Sequence, residues 1–102
     1  MNEVITSNWT DTEGNHDGGV STGIGFTIAW QRGSLNEADR NGAFLIEVVE
    51  VCLNQIEYFQ DGKFQCQENA EAIFHLEQAI ASLKSRRNRR EQDGTLGTTQ
   101  GT

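Results

Sequence analysis

Hydrophobic positions recur at helical spacing in two segments of the second half of the chain. Between residues 43 and 60, apolar residues return every three or four positions, which predicts a first helix with one apolar face. The positions of that face are Leu45, Val48, Val49, Cys52, Ile56 and Phe59. From residues 66–69 to Glu91, a second helix is predicted with a short heptad seam. Its seam consists of Ile73, Leu76, Ile80 and Leu83.

The pattern changes at Asp61-Gly62 and in the first third of the chain. Asp-Gly is a turn signal, and Gly62 is expected to take the left-handed conformation that ends many helices. Residues 20–30 alternate between two sides, which predicts one β-strand, followed by a turn at residues 31–34. Since a lone strand is not stable in water, it must pair with another segment or another chain.

These elements predict an α+β fold in which one or more short N-terminal β-strands precede a long, antiparallel two-helix hairpin. Residues 1–19 are polar and rich in Gly, Asn and Asp, so we interpret them as a flexible arm with at most a short strand at residues 3–6. Residues 20–94 form a single domain, and residues 95–102 form a C-terminal tail without periodicity. Because Ile73 and Phe74 cannot both face one partner helix, we expect an oligomer.

Composition and charge exclude several classes of function. A chain of 102 residues with a net charge of −7 has room for one small domain, and its charge argues against binding DNA or RNA duplexes. No apolar run reaches the roughly 18 residues of a membrane span, and no signal region is recognisable. Cys52 and Cys66 lie outside any CxxC motif, so reduced, buried thiols in a cytoplasmic protein are expected.

Catalytic and metal-binding patterns are absent from the sequence. His16 and His75 are far apart, and Cys66 with His75 fits no standard zinc spacing. The glycine-rich stretch at residues 14–25 lacks the Lys-Ser/Thr ending of a phosphate loop and precedes a strand. The residues therefore form no recognisable catalytic or metal-binding motif, and we predict no metal or cofactor.

Five of the eight basic residues fall within residues 84–90 of this acidic chain. They are Lys84, Arg86, Arg87, Arg89 and Arg90. One or two cations in the last turn complement the helix dipole, but four arginines repel one another unless an anion is near. Arg86 and Arg90 are four positions apart and share a helix face, so they form a guanidinium pair suited to phosphate oxygens. The residues alone leave an anion site and a solvated helix end equally open.

The segments NGAFLIEVVEVCLNQIEYFQ and FQCQENAEAIFHLEQAIASLKSRRNRREQDGTLGT resemble phage-encoded hairpin-domain sponges, the Thoeris anti-defence and anti-CBASS proteins. The upstream GIGFTIAWQRGSL resembles the Thoeris anti-defence branch, which carries β structure before its hairpin. The resemblance covers about residues 20–99. Its most specific pieces are Tyr58-Phe59, ENA at 68–70, LEQA at 76–79, and R-x3-R at 86–90 before a Gly-Thr tail.

The resemblance implies that the protein is not an enzyme but a sponge, which sequesters immune second messengers and leaves them intact. Ligands of the family are glycocyclic ADP-ribose isomers and, in many members, cyclic di- or trinucleotides in a separate site. Such a protein blocks Thoeris immunity, and in some members CBASS immunity, in the cytoplasm of the infected bacterial host. Family members are often hexamers built as trimers of dimers.

The family motifs also assign roles to individual residues. Phe59 is implied to stack on adenine, Asn69 to hydrogen-bond base or ribose, and Arg86 and Arg90 to hold the pyrophosphate. A second site for cyclic oligonucleotides is implied at Arg87, Arg89, Thr98 and Thr99. The tail departs from the family there, because Gly-Val-Glu-Gly-Thr-His is replaced by GTLGTT and Thr99 stands at the histidine position.

Helix geometry constrains how these residues can share a ligand. Asn69 and Arg86 are 17 positions apart on one predicted helix, which corresponds to about 25 Å. If both contact one nucleotide-sized ligand, they must come from different chains, as in an antiparallel dimer with two composite sites. Two other readings stay open: a small phage protein that binds a host protein through its helical face, and a messenger-cleaving enzyme with Glu91 as its nearby acid.

Overall fold

The computed structural model describes residues 3–33 and 39–92, which form three strands followed by two helices. The strands are β1 (Ile5–Thr10), β2 (His16–Gly23) and β3 (Phe26–Trp30); the helices are α1 (Leu45–Gln60) and α2 (Gln67–Gln92). The predicted α+β class, with strands before helices, is confirmed. The chain divides into two compact units, one containing the sheet and one formed by residues 45–89.

The strands form one antiparallel sheet in the order β1-β2-β3. The prediction of a single strand over residues 20–30 is wrong, because the chain reverses direction at Ile24-Gly25 and Gly23 pairs with Phe26. Gly25 has a φ of 92°, a conformation that residues with a side chain rarely adopt. The partner that the strand required is therefore found within the same chain.

The expected flexible arm over residues 1–19 instead contains β1 and the first half of β2. A polar side chain of this segment, Thr6, pairs across the sheet with Ser21 of β2. The hydroxyls of Thr6 and Ser21 lie 2.9 Å apart, and Trp30 Nε1 donates to Ser21 Oγ at 2.8 Å. Ser21 is 6% exposed, so this polar cluster, rather than a row of aliphatic residues, occupies the buried part of the sheet.

Asp11 braces the connection between β1 and β2. Its Oδ1 accepts hydrogen bonds from the backbone N–H of Glu13 at 2.8 Å and of Asn15 at 2.9 Å. These bonds stabilise the ionised carboxylate, and the backbone N–H of Asn15 contributes most to holding the pKa of Asp11 below its ordinary value of 3.8. The connection is exposed, yet it is ordered by its own hydrogen bonds.

After β3, the side-chain amides of Gln31 and Asn41 hold residues 31–32 and 41–42 together. Gln31 Oε1 accepts from the backbone N–H of Asn41 at 2.9 Å and of Gly42 at 3.0 Å, and Asn41 Oδ1 accepts from Arg32 N at 2.8 Å. Gly42 lies so close to β3 that a Cβ would come within 2.6 Å of the Trp30 carbonyl carbon. Residue 34, in the expected turn at 31–34, lies outside the described residues.

The two helices match the predicted segments, but only α2 has its seam where the spacing placed it. In α2 the seam is confirmed: Ile80 is 8% exposed, and Ile73, Leu76 and Leu83 are half-buried. In α1 the predicted face is confirmed in part, because Val48, Val49 and Ile56 are half-buried. Leu45, Cys52 and Phe59 are exposed, and Ile46 and Leu53 are half-buried instead.

Both cysteines are free, but they are exposed rather than buried. Cys52 was expected on the apolar face of α1, but the next residue, Leu53, is half-buried in its place. Cys66 lies in the connection ahead of α2, where its neighbours are also exposed.

The connection from α1 to α2 does not use a left-handed glycine. The φ of Gly62 is not positive, and its backbone N–H donates a hydrogen bond to the carbonyl oxygen of Phe59 at 3.2 Å. The Gln60 side chain closes the turn instead. Its Oε1 accepts from Cys66 N at 3.0 Å, and its Nε2 donates to Cys66 O at 3.1 Å. A side-chain amide thus satisfies both backbone groups of Cys66.

Little of the described chain is buried. Ile80 is the single buried hydrophobic residue among residues 3–33 and 39–90, while many large apolar side chains are exposed. Those exposed by more than half are Val4, Ile5, Ile24, Leu45, Val51, Tyr58, Phe64 and Phe74. The two described helices are each too short or too polar to cross a membrane.

Candidate ligand-binding site

A groove of about 320 Å³ opens at the connection between α1 and α2. Phe59, Phe64 and Asn69 line it, and we call it the turn groove. Phe59 lies in the last turn of α1, and Asn69 lies in the first turn of α2. The connection therefore brings together two of the four residues expected to bind the ligand.

The aromatic rings of the turn groove meet at a right angle. The ring centroids of Phe59 and Phe64 are 6.2 Å apart with an interplanar angle of 83°. Phe59 is 37% exposed and Phe64 is 72% exposed, so both rings remain accessible to a ligand. Phe64 was missed by the sequence analysis, and the available signal was a large aromatic residue between Lys63 and Gln65 in an otherwise polar turn.

Asn69 is held in place by the turn that precedes it. Its Nδ2 donates to the carbonyl oxygen of Phe64 at 2.8 Å, and its backbone N–H donates to Cys66 Sγ at 3.4 Å. Within the described residues, no group donates a hydrogen bond to Asn69 Oδ1. The groove thus offers two aromatic rings and an oriented amide oxygen, which is the chemistry needed to bind a planar base.

The guanidinium pair, Arg86 and Arg90, lies near the other end of α2. Arg86 is exposed and Arg90 is half-buried. In the described part of the chain, Arg86 has neither a hydrogen-bond partner nor an ion-pair partner, although the protein carries 15 acidic residues. A guanidinium left without a carboxylate in such a chain is available for an external anion.

One chain does not bring the turn groove and the guanidinium pair together. Asn69 of the groove and both arginines lie on α2, a single continuous helix over Gln67–Gln92. A rise of about 1.5 Å per residue separates the backbones of Asn69 and Arg86 by about 25 Å. Within one chain, Phe59 and Asn69 therefore lie near the start of α2. Arg86 and Arg90 lie near its other end.

Comparison with known proteins places the chain in a family. Residues 23–86 match the model of the Acb2/Tad1 hairpin domain. The chain belongs to this family. It is also 38% identical over 72 residues to Thoeris anti-defense 1 of Bacillus phage SBSphiJ7, a match that covers 71% of this chain and 51% of that protein. The chain thus spans about half the length of this relative, and Arg90 lies just beyond the match to the Acb2/Tad1 family model.

The residues expected at a second site are only partly described. Arg87 and Arg89 are exposed on α2, whereas Thr98 and Thr99 lie outside the described residues. The described residues contain no cluster of three or more His, Cys, Asp or Glu side chains that could hold a metal ion. His75 is exposed and contacts the ring of Phe74, with centroids 5.5 Å apart.

Proposed function

We propose that this chain is a phage anti-defence protein that binds glycocyclic ADP-ribose isomers and withholds them, uncleaved, from Thoeris immunity in the cytoplasm of the infected bacterium. Membership of the Acb2/Tad1 hairpin family and the similarity to Thoeris anti-defense 1 support this assignment. The ligand class follows from the chemistry at the two ends of α2.

The observation that carries the proposal is the pairing of a base-binding groove with a phosphate-binding pair on one helix. Phe59 provides a ring face for stacking, and Asn69 provides an oriented amide. Arg86 and Arg90 present paired N–H donors that match phosphate oxygens. An ADP-ribose isomer contains both an adenine and a pyrophosphate, so it can engage both ends.

Both ends can reach one ligand only if two chains contribute. We propose an antiparallel dimer in which Phe59 and Asn69 of one chain lie beside Arg86 and Arg90 of the other, which forms two equivalent sites. The charge along α2 supports this pairing. Its N-terminal half carries Glu68, Glu71 and Glu77, whereas its C-terminal half carries Lys84 and the arginines. An antiparallel partner places opposite charges beside each other.

The sparse core also supports association. With Ile80 as the single buried hydrophobic residue of the described chain, much apolar surface of α1 and α2 faces solvent. Monomeric proteins rarely expose contiguous apolar patches larger than a few hundred Å². The family resemblance extends the proposal to a hexamer formed as a trimer of dimers.

A second site for cyclic di- or trinucleotides, and with it activity against CBASS, is proposed at Arg87 and Arg89 with Thr98 and Thr99. Exposed arginines in a tight cluster support an anionic ligand there. The tail departs from the family at this site, because Thr99 stands where the family carries a histidine.

Sequestration without cleavage is supported by the residues around the guanidinium pair. From residue 78 to residue 92, α2 offers a single possible general base, Glu91, which directly follows Arg90 and which we expect to pair with a neighbouring arginine. Arginines there hold phosphate oxygens but do not transfer protons at neutral pH.

Calorimetry followed by heat denaturation tests the proposal. The protein is titrated with a glycocyclic ADP-ribose isomer, with linear ADP-ribose as the comparison, and the bound fraction is then released by heat and analysed by chromatography. Release of the intact isomer supports a sponge. Release of a product identifies an enzyme, and no binding of either compound favours the host-protein reading.

A further inference from the structure

We infer that Phe64 completes the base site and makes it selective for a base that carries an exocyclic amino group. This inference rests on the proposed binding function and concerns the turn groove. The ring of Phe64 forms a side wall, and its backbone carbonyl fixes the orientation of the Asn69 amide. Adenine has the required amino group, whereas hypoxanthine carries a carbonyl oxygen in the same place.

The first part of the inference follows from the geometry of the two rings. A base that stacks on Phe59 lies parallel to that ring. Because the Phe64 ring stands at 83° to Phe59 with its centroid 6.2 Å away, it is nearly perpendicular to a base stacked on Phe59. An edge-to-face contact between aromatic rings is a favoured arrangement. Phe64 therefore limits how far the base can slide across Phe59.

Exposure of Phe64 points to a ligand as well. The side chain is 72% exposed, although the neighbouring turn residues are polar. A large apolar ring contributes little to the fold in that position, because most of its surface stays in water. A base that fills the corner between Phe59 and Phe64 removes part of this surface from water, which favours binding.

The second part follows from the hydrogen bond between Asn69 and Phe64. A carbonyl oxygen accepts hydrogen bonds only, so Nδ2 of Asn69 must face Phe64 O, at 2.8 Å. Rotating the amide by half a turn would place two acceptor oxygens against each other. Asn69 Oδ1 is thereby fixed as the acceptor. It receives a hydrogen bond from an amino group on the base and opposes a carbonyl oxygen there.

Selectivity is tested on the wild-type protein. Calorimetry compares a glycocyclic ADP-ribose isomer with its deaminated analogue, in which hypoxanthine replaces adenine. We expect the analogue to bind at least about tenfold more weakly, because one good hydrogen bond is replaced by an unpaired acceptor. Equal affinities would overturn the role assigned to the fixed amide.

Substitution of Phe64 tests the ring. Phe64→Ala should weaken binding of the isomer by about tenfold, as expected for the loss of an aromatic contact to a base. Phe64→Tyr should retain binding, and Phe64→Leu should lie between the two. Phe26→Ala is the matched control, since Phe26 is also an exposed phenylalanine but lies on β3 and does not line the groove. Size-exclusion chromatography verifies that each variant keeps the wild-type assembly.

The possible failures are distinguishable. If Phe64→Ala binds like the wild type while Phe59→Ala is weakened, the role of the Phe64 ring is wrong and the proposed function stands. If the wild-type protein binds no ADP-ribose isomer, the proposed function fails and the inference fails with it. The comparison of the two bases uses no variant, so it decides the amide part even if Phe64→Ala does not fold.

Discussion

Trp30 on β3 and Ser21 on β2 are joined by a hydrogen bond of 2.8 Å in which the indole Nε1 donates to the serine Oγ. Ser21 also contacts the hydroxyl of Thr6 on β1 at 2.9 Å, so one buried hydroxyl connects all three strands. This contact takes the place of a hydrophobic core in the sheet. The buried hydroxyl adds a side-chain link to the backbone pairing of β1 with β2 and of β2 with β3.

Ser21→Ala should destabilise the protein by about 1–3 kcal/mol, because it leaves the indole N–H and the Thr6 hydroxyl without their partner. Chemical denaturation at a fixed protein concentration, followed by tryptophan fluorescence, measures the change. Ser7→Ala is the matched control, since Ser7 lies on β1 in the same sheet but is exposed. Equal unfolding free energies for the two variants would mean that the buried hydroxyl is not what ties the strands together.

Arg86→Ala and Arg90→Ala should each weaken binding of a glycocyclic ADP-ribose isomer by tenfold or more. A hydrogen bond to a charged group contributes about 1.5–3 kcal/mol, and about 1.4 kcal/mol corresponds to a factor of ten in affinity. Lys84→Ala is the control, because it removes a positive charge from the same helix outside the guanidinium pair. Calorimetry gives the affinities. Unchanged affinity in both arginine variants would show that these residues are only a solvated helix end.

A mixture of Asn69→Ala chains and Arg86→Ala chains tests the shared site. Each parent variant should bind poorly. In a mixed antiparallel dimer, one site receives both substitutions and the other receives neither, so binding should return to half of the wild-type stoichiometry. Subunit exchange is verified by mass spectrometry of differently tagged chains. No recovery despite exchange would place all ligand contacts within one chain.

Acid should weaken the connection between β1 and β2 through Asp11. Backbone hydrogen bonds, from Asn15 above all, lower the pKa of this carboxyl in the folded protein, so its stabilising effect is complete above pH 3.8. The effect is lost as the pH falls through the lower, folded-state pKa. The difference in stability between the wild type and Asp11→Asn should therefore shrink below pH 3.8. A difference that stays constant from pH 7 to pH 2.5 would contradict this assignment.

The buried face of a helix can be predicted from the sequence only where its apolar residues are separated by polar or small ones. In α2, the seam residues Leu76, Ile80 and Leu83 are separated by polar or small residues, so the spacing predicts the correct face. In α1, apolar residues occupy nearly consecutive positions from Leu45 to Leu53. Two faces then fit the helical period almost equally well. Val48, Val49 and Ile56 are half-buried as predicted, whereas Ile46 and Leu53 take the places expected for Leu45 and Cys52.

The sheet and the groove show what periodicity cannot predict. β1 has the composition of a loop, and its pairing depends on β2 and on the hydroxyl of Ser21 rather than on any pattern of its own. Phe59 and Asn69 were identified through the family resemblance. Phe64 lies in a turn, where hydrophobic spacing carries no information, and only the three-dimensional path of the connection places it beside the other two.

The small amount of buried apolar surface, with Ile80 as the single buried hydrophobic residue of the described chain, would link the lifetime of the protein to the ligand proposed for it. A ligand that binds only the folded state adds about 2.7 kcal/mol of stability when its free concentration is a hundred times its dissociation constant. For a chain that has little stability of its own, that increment changes the unfolded fraction about a hundredfold. The protein with its proposed ligand bound should therefore resist host proteases longer than the free protein. Binding of a messenger would then also prolong the time for which that messenger stays bound.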